Sequence, residues 1–212
     1  MEGNIYMPTL NDIEQKYFEL CNTSSDINEH LPTLYKYASE CDSVVECGVR
    51  RCVSSWAFAY GLLNNNKSEK HLFLNDISYC NIDEILEKTT DTNLSIRHQW
   101  VSNLILELDR NYDLIFIDTW HIYGQLKREL ANLHKYANKY IIMHDTEIDK
   151  IYGESVRNKH DIELKIKHSG FPREEIECGL QKAIDEFLLE NPQWKLKEVF
   201  TNNNGLTVLE KV

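Results

Sequence analysis

Five short runs of β-branched and apolar residues punctuate the chain: SVVEC (43–47), HLFLND (71–76), LSIRHQW (94–100), YDLIFID (112–118) and KYIIMHD (139–145). Helix-like patterns lie between and after them: SSWAFAYGLL (54–63), NIDEILEKT (81–89), SNLILELDR (102–110) and YGQLKRELANLHKYA (123–137). Strands alternating with helices predict right-handed crossovers and a mostly parallel, doubly wound sheet of Rossmann-like α/β class. The tail breaks the alternation. GLQKAIDEFLLENP (179–192) reads as an amphipathic helix stopped by Pro192, and two alternating runs then flank NNNG (202–205), an antiparallel hairpin signal. Upstream, residues 12–21 and 25–41 read as helices preceding the first strand, the second capped by Ser25 or Asp26.

With 212 residues the chain fits one α/β domain spanning 1–212, with 1–42 as an N-terminal helical cover. Residues 147–178 are polar and long for a connection, which suits an insertion on the acceptor side. Composition adds exclusions. A formal charge of −11 opposes a nucleic-acid partner, since phosphate binding needs clustered Lys and Arg. No run approaches the ~18 apolar residues of a membrane span. The opening MEGNIYMPTL lacks a basic start followed by an apolar core, so the expected location is cytoplasmic. Six cysteines without a C-x-x-C pair fit reduced thiols.

The candidate chemistry collects at strand ends. In SVVECGVRRCVSS (43–55), Val44 and Val45 end the first strand, Glu46 and Gly48 form the turn, and Ser54 or Ser55 opens the helix. Gly48 lets backbone approach a ligand at the carboxyl end of the sheet. A G-x-G-x-x-G dinucleotide fingerprint is missing, and Glu46 would repel a phosphate, so a nicotinamide-binding oxidoreductase is the less favoured reading. Asp76 closes the second strand, where an acid can accept from a ribose diol or cap the next helix. Asp118 and His121 follow the fourth strand; Asp118 could ligate a cation, and a neutral imidazole at His121 could take a proton from a hydroxyl. His144, Asp145 and Thr146 follow the fifth.

The stretch VVECGVRRCVSSWAFAYGL resembles the E-x-G-x-x-x-G-x-S motif of class I S-adenosylmethionine-dependent methyltransferases, in the group that includes cephalosporin-hydroxylase-like and small sugar O-methyltransferases. It departs at Cys52, where that pattern prefers glycine. FIDTWHIYGQLKREL, YIIMHDT and TNNNGLTVL extend the resemblance over nearly the whole chain, to a compact family seen in bacteria and large DNA viruses; for a viral chain the location would be host cytoplasm. The resemblance implies S-adenosylmethionine as cofactor, held by Glu46, Gly48, Val49, Ser54, Asp76 and Asp118, with Trp100 and Ser102 lining the adenine. It implies a divalent metal, Mg²⁺ or Mn²⁺, on Asp118 and Asp145, with His144 or Thr146 as third ligand, and His121 where the catechol enzymes place a catalytic lysine. Mg²⁺ prefers oxygen ligands, so three cases stay open: Thr146 supplies the third oxygen, His144 selects a softer metal, or His121 acts as base without a metal. The implied acceptor is a hydroxyl of a sugar or glycan, or of a small phenol, with Trp120, Tyr123, Tyr152 and Phe171 as candidate ring contacts. A non-catalytic S-adenosylmethionine-binding module and a homodimer both remain open.

Overall fold

The computed structural model describes residues 10–212, so most of the opening segment used to judge targeting, and the start of the 1–42 cover, lie outside the described residues. Seven strands form one sheet: β1 (Ser43–Cys47), β2 (Lys70–Asp76), β3 (Leu94–Trp100), β4 (Tyr112–Ile117), β5 (Ala137–His144), β6 (Trp194–Phe200) and β7 (Leu206–Lys211). Their spatial order is β3-β2-β1-β4-β5-β7-β6. The first five pair in parallel, while β7 runs antiparallel to both β5 and β6. Every residue of β1 and β4 is buried, as expected for central parallel strands covered on both faces.

Helices α1 (Leu10–Asn22) and α2 (Leu31–Ser39) precede β1. The crossovers carry α3 (Val53–Leu63), α4 (Asp83–Thr89) and α5 (Tyr123–Leu133), and four more lie between β5 and the hairpin: α6 (Glu154–Arg157), α7 (Ile162–Ser169), α8 (Arg173–Glu177) and α9 (Leu180–Glu190). Strand side chains alternate between two cores. Val44, Leu72, Leu114 and Ile142 pack with α1 to α3, whereas Val45, Phe73, Ile115 and Ile141 pack with α5 and α9. Among the described residues, no helix is long and apolar enough to cross a membrane.

Three local readings change. Residues 102–110 form no helix. Leu106 and Leu108, two apart, both enter the α5 side core, and Asn132 donates to the carbonyls of Asn103 and Leu106 at 2.9 Å each, so tertiary partners take the groups a helix would pair internally. The expected cap at Ser25 or Asp26 is also absent: a short 3-10 turn (Asn28–His30) leads into α2, Ser25 Oγ accepts from Ile27 N–H at 3.3 Å, and Asp26 pairs with Arg50 at 2.9 Å. Glu46 lies within β1, with no exposed surface, rather than in the turn.

Candidate active site

The sheet order reverses between β1 and β4, since the chain leaves β1 towards β2 and leaves β4 towards β5. Ligands of open α/β sheets sit in the crevice that such a reversal creates. Here it is bounded by Gly48 and Asp118. Asp118 N–H donates to Cys47 O at 2.8 Å and Gly48 N–H to Asn75 O at 2.8 Å, tying the ends of β1, β2 and β4 together. Gly48 has φ +97°, and the turn continues through Arg50 (φ 46°) and Cys52 (φ 60°). Cys52 therefore holds the left-handed conformation that the motif's glycine would adopt, with its N–H on Val49 O at 2.8 Å.

Asp76 supports this turn from β2. One carboxylate oxygen accepts from the amides of Val49 (2.9 Å) and Arg50 (3.1 Å), and the other accepts from Ser78 (3.0 Å). Burial alone would raise its pKa, but these three donors outweigh it and hold the carboxyl below its ordinary value. Glu46 points under the turn, where its oxygens accept from Ser54 Oγ and from Ser55 Oγ at 2.6 Å. Burial pushes its pKa up to about 8. Glu46 has no exposed surface and offers a ligand no direct contact: it braces the start of α3 through Ser54 and Ser55, so any influence on a cationic ligand would pass through its neighbours.

A cavity of about 550 Å³ runs from Gly48 and Asp76 past Ser102 to Asp118 and Trp120, and ends against Lys165 of α7. A smaller one of about 110 Å³ continues behind Gly48 to Val49, Ser54 and Asp26, sharing Asp118. Trp100 stands outside both. It is 55% exposed on the edge strand β3, with its ring against Tyr79 and His98, which corrects its placement at the adenine. The indole inside the cavity is Trp120, stacked on Phe171 at 10° and 6.0 Å and held by Nε1–H to Ser155 Oγ at 3.2 Å. Tyr123 is buried, with its hydroxyl on Glu186, and Tyr152 borders a separate groove beside α6, so neither offers a ring to this cavity.

At the carboxyl ends of β4 and β5 two carboxylates meet two imidazoles. His121 Nε2 lies 3.1 Å from Asp118 Oδ1 and 3.0 Å from Asp145 Oδ2. His144 Nδ1 lies 3.4 and 3.3 Å from the same two oxygens. Asp145 is held at φ 57°, a left-handed conformation that costs a non-glycine residue about 1–2 kcal/mol, to turn its carboxylate inward. Burial would raise the pKa of Asp118, but both imidazoles hold it well below the carboxylate range. Burial would conversely lower that of His144, and the carboxylates of Asp118 and Asp145 push it up to about 10. His121 is likewise raised well above its ordinary value, against burial, by Asp118 and then Asp149.

The donor atoms fit a cation. Asp118, His121 and Asp145 each offer one atom, all within 4.8 Å of one another, and His144 Nδ1 and Asp145 Oδ1 are buried without a hydrogen-bond partner. Separations of 3.0 and 3.1 Å between His121 Nε2 and the two carboxylates are those of ligands sharing one ion at about 2.1 Å. A set of one imidazole nitrogen and two carboxylate oxygens suits Mn²⁺, Fe²⁺ or Zn²⁺ better than Mg²⁺, with His144 Nδ1 outside the group that comes together and so not placed as the third ligand. Thr146 is corrected as a ligand: it is buried with its hydroxyl accepting from Thr207 Oγ1 at 2.9 Å.

No family model matches the sequence, and no curated protein matches it. The structure is similar to the SAH-bound methyltransferase PaMTH1 of Podospora anserina, with TM-score 0.54, 12% identity, and 94% of this chain and 87% of that one covered. It is similar also to the O-methyltransferase of Bacillus cereus in complex with SAH, with TM-score 0.51, 13% identity, and 99% and 94% covered. The fold is that of the Rossmann-like methyltransferases. N-methyltransferase NodS from Bradyrhizobium japonicum WM9 has it too, with TM-score 0.51, 11% identity, and 88% and 96% covered. The methyltransferase fold thus accommodates both oxygen and nitrogen acceptors, and only the site can separate them.

Around this methyltransferase-fold crevice, several contributors escape the sequence reading. Glu129 of α5 is fully buried and binds Asn103, Thr119 and Gln125, bracing the loop after β3 and the segment after β4. It was detectable as an acid on the stripe of Leu126, Leu130 and Leu133. The hairpin tip also enters the site, where Asn203 O accepts from His144 Nε2 at 3.2 Å while its side chain binds Glu29 N–H and Ser25 O. Nothing local in the sequence signals that contact.

Proposed function

We propose that the chain is an S-adenosylmethionine-dependent O-methyltransferase whose acceptor hydroxyl is activated at the Asp118–His121–Asp145 centre. The observation that carries this reading is the double membership of Asp118, which forms a wall of both cavities beside Gly48 and is also a corner of the carboxylate–imidazole centre. A cofactor lying along the crevice would use the Gly48 turn, Asp76, Ser102 and the Ser54 side of the smaller cavity, bringing its reactive end towards Asp118. Bound there, S-adenosylmethionine supplies an electrophilic methyl group to an aligned nucleophile, and alignment provides much of the rate.

A cation held by Asp118, His121 and Asp145 would supply Lewis-acid chemistry, acidifying an acceptor hydroxyl. This favours oxygen as the acceptor atom, since a neutral amine already has its lone pair free. It also favours an aliphatic sugar hydroxyl over a phenol, whose pKa near 10 demands less help. Trp120, in the cavity wall, supplies a flat face suited to a ring. The metal-free reading, with His121 alone as general base, is less favoured: without a cation, Nε2 faces the carboxylates of Asp118 and Asp145 at 3.1 and 3.0 Å, which favour its protonated form over the free lone pair a base needs. A passive binding module would have no use for two carboxylates and two imidazoles brought together. Calorimetry with S-adenosylhomocysteine, followed by release of that product with sugar and phenol acceptors in the presence of Mn²⁺, tests the reading; a folded protein that shows no binding heat rejects it.

A further inference from the structure

We infer that Asp149, clamped by Arg157, is the positioning residue that fixes the tautomer and aim of His121; what His121 then does at the centre rests on the function proposed above. His121 Nδ1 is buried and has no hydrogen-bond partner, yet two carboxylate oxygens face it: Asp149 Oδ2 at 3.5 Å and Glu154 Oε2 at 3.6 Å. These are not equivalent. Glu154 is partly exposed, and the same oxygen already accepts from His121 N–H at 3.4 Å. Asp149 has no exposed side-chain surface and is gripped by Arg157 in a fork, Nε to Oδ1 at 2.7 Å and Nη2 to Oδ2 at 2.8 Å. Its own amide donates to Asp145 O at 3.1 Å, fastening it to the turn that carries the opposite side of the centre.

A carboxylate taken wholly out of water is costly unless its charge and lone pairs are matched. The guanidinium matches the charge, and a free lone pair on Oδ2 remains on the side of His121. Without a cation, an imidazole between carboxylates on both sides is satisfied by donating from Nδ1 to Asp149 and from Nε2 to Asp118 and Asp145; with a cation in place of the Nε2 proton, Asp149 keeps the remaining proton on Nδ1. That is the tautomer a ligand or proton-handling nitrogen needs at Nε2, and outer carboxylates hold ligating histidines in this way. Sequence spacing hides the relation, because Asp149 lies twenty-eight positions beyond His121, in the polar 147–178 segment expected as an acceptor-side insertion.

The experiment combines two-bond ¹H–¹⁵N correlation spectra of the imidazoles in the metal-free protein with Mn²⁺ and S-adenosylhomocysteine titrations, on wild type, Asp149→Ala, Asp149→Asn and Arg157→Met. Wild type should show a proton-bearing Nδ1 at His121. Asp149→Ala should populate the other tautomer and weaken Mn²⁺ about 10- to 100-fold with S-adenosylhomocysteine affinity unchanged. Asp149→Asn, whose carbonyl oxygen still accepts from Nδ1–H, should recover most of the loss, and Arg157→Met should shift both readouts the same way by less. A proton-free Nδ1 in wild type overturns the inference, as does a folded Asp149→Ala protein with wild-type spectra and Mn²⁺ affinity. If Asp149→Ala does not fold, Arg157→Met decides: an unmoved His121 spectrum sinks the inference. Wild type that binds no Mn²⁺ but shows Nδ1–H dependent on Asp149 upholds the positioning and rejects the metal reading alone.

Discussion

Gly48 and Asp118 touch through their backbones: a Cβ placed on Gly48 would come within 1.8 Å of the Asp118 carbonyl oxygen. The first turn and the end of the fourth strand can approach this closely only with a bare α-carbon. Gly48→Ala adds that collision to the strain of φ +97° and is expected to cost more than about 4 kcal/mol. Urea melts, or recovery of soluble protein, check this; a variant with wild-type stability would show that the two strand ends separate freely.

Asp76 links the turn to the cavity. Removing its carboxylate leaves the amides of Val49, Arg50 and Ser78 without acceptors on the ligand-facing side. Asp76→Ala should weaken S-adenosylhomocysteine about 10- to 100-fold, the loss expected for charge-assisted hydrogen bonds of about 1.5–3 kcal/mol. The thermal shift produced by saturating ligand reports it, and an undiminished shift contradicts the assignment.

The buried acid under the turn gives a pH signature. Glu46 has its folded pKa raised to about 8 from an ordinary 4.5, so the folded state binds the proton more tightly than the unfolded chain. Its contribution to stability is fully present below about pH 4.5 and is lost as pH rises through about 8. Glu46→Gln keeps the shape without the charge. In paired urea melts, the stability difference between the two proteins should therefore move in favour of the Glu46→Gln variant as pH rises from about 5 to about 9. A difference independent of pH refutes the buried-acid account.

His121 and its neighbours predict a split between chemistry and cofactor binding. His121→Ala should reduce turnover by at least about 10- to 100-fold, the range for disturbing the set that holds a cation, while S-adenosylhomocysteine affinity is retained. Asp145→Asn should do the same and also abolish Mn²⁺ binding by calorimetry. EDTA should mimic both in wild type, and full activity in EDTA removes the cation from the account.

Much of this site was legible because parallel strands deliver their last residues to one edge, and Asp76, Asp118 and Asp145 stand at the ends of three apolar runs. What failed was contact that spacing cannot encode. Glu46 turns towards Ser54 and Ser55, closing a hydrogen-bonded unit within the protein where a ligand contact was expected. Residues 102–110 have enough leucines for a helix, but Asn132 and the α5 side core hold them as an irregular loop. Trp100 and Trp120 are indistinguishable as residue types; only the edge position of β3 exposes one and only the Phe171 stack retains the other.

The strand order also imposes a schedule on synthesis. β7 lies between β5 and β6, although both emerge from the ribosome before it. Until β7 is made, the Tyr140–His144 segment has a bare edge on one side, open to pairing with other chains. His144 also lacks its Asn203 partner until that hairpin closes. An emerging polypeptide therefore holds both carboxylates and both imidazoles of the centre before it has the strand that pairs with β5 and the Asn203 carbonyl that fixes His144, so the centre should reach its final geometry only when the hairpin docks.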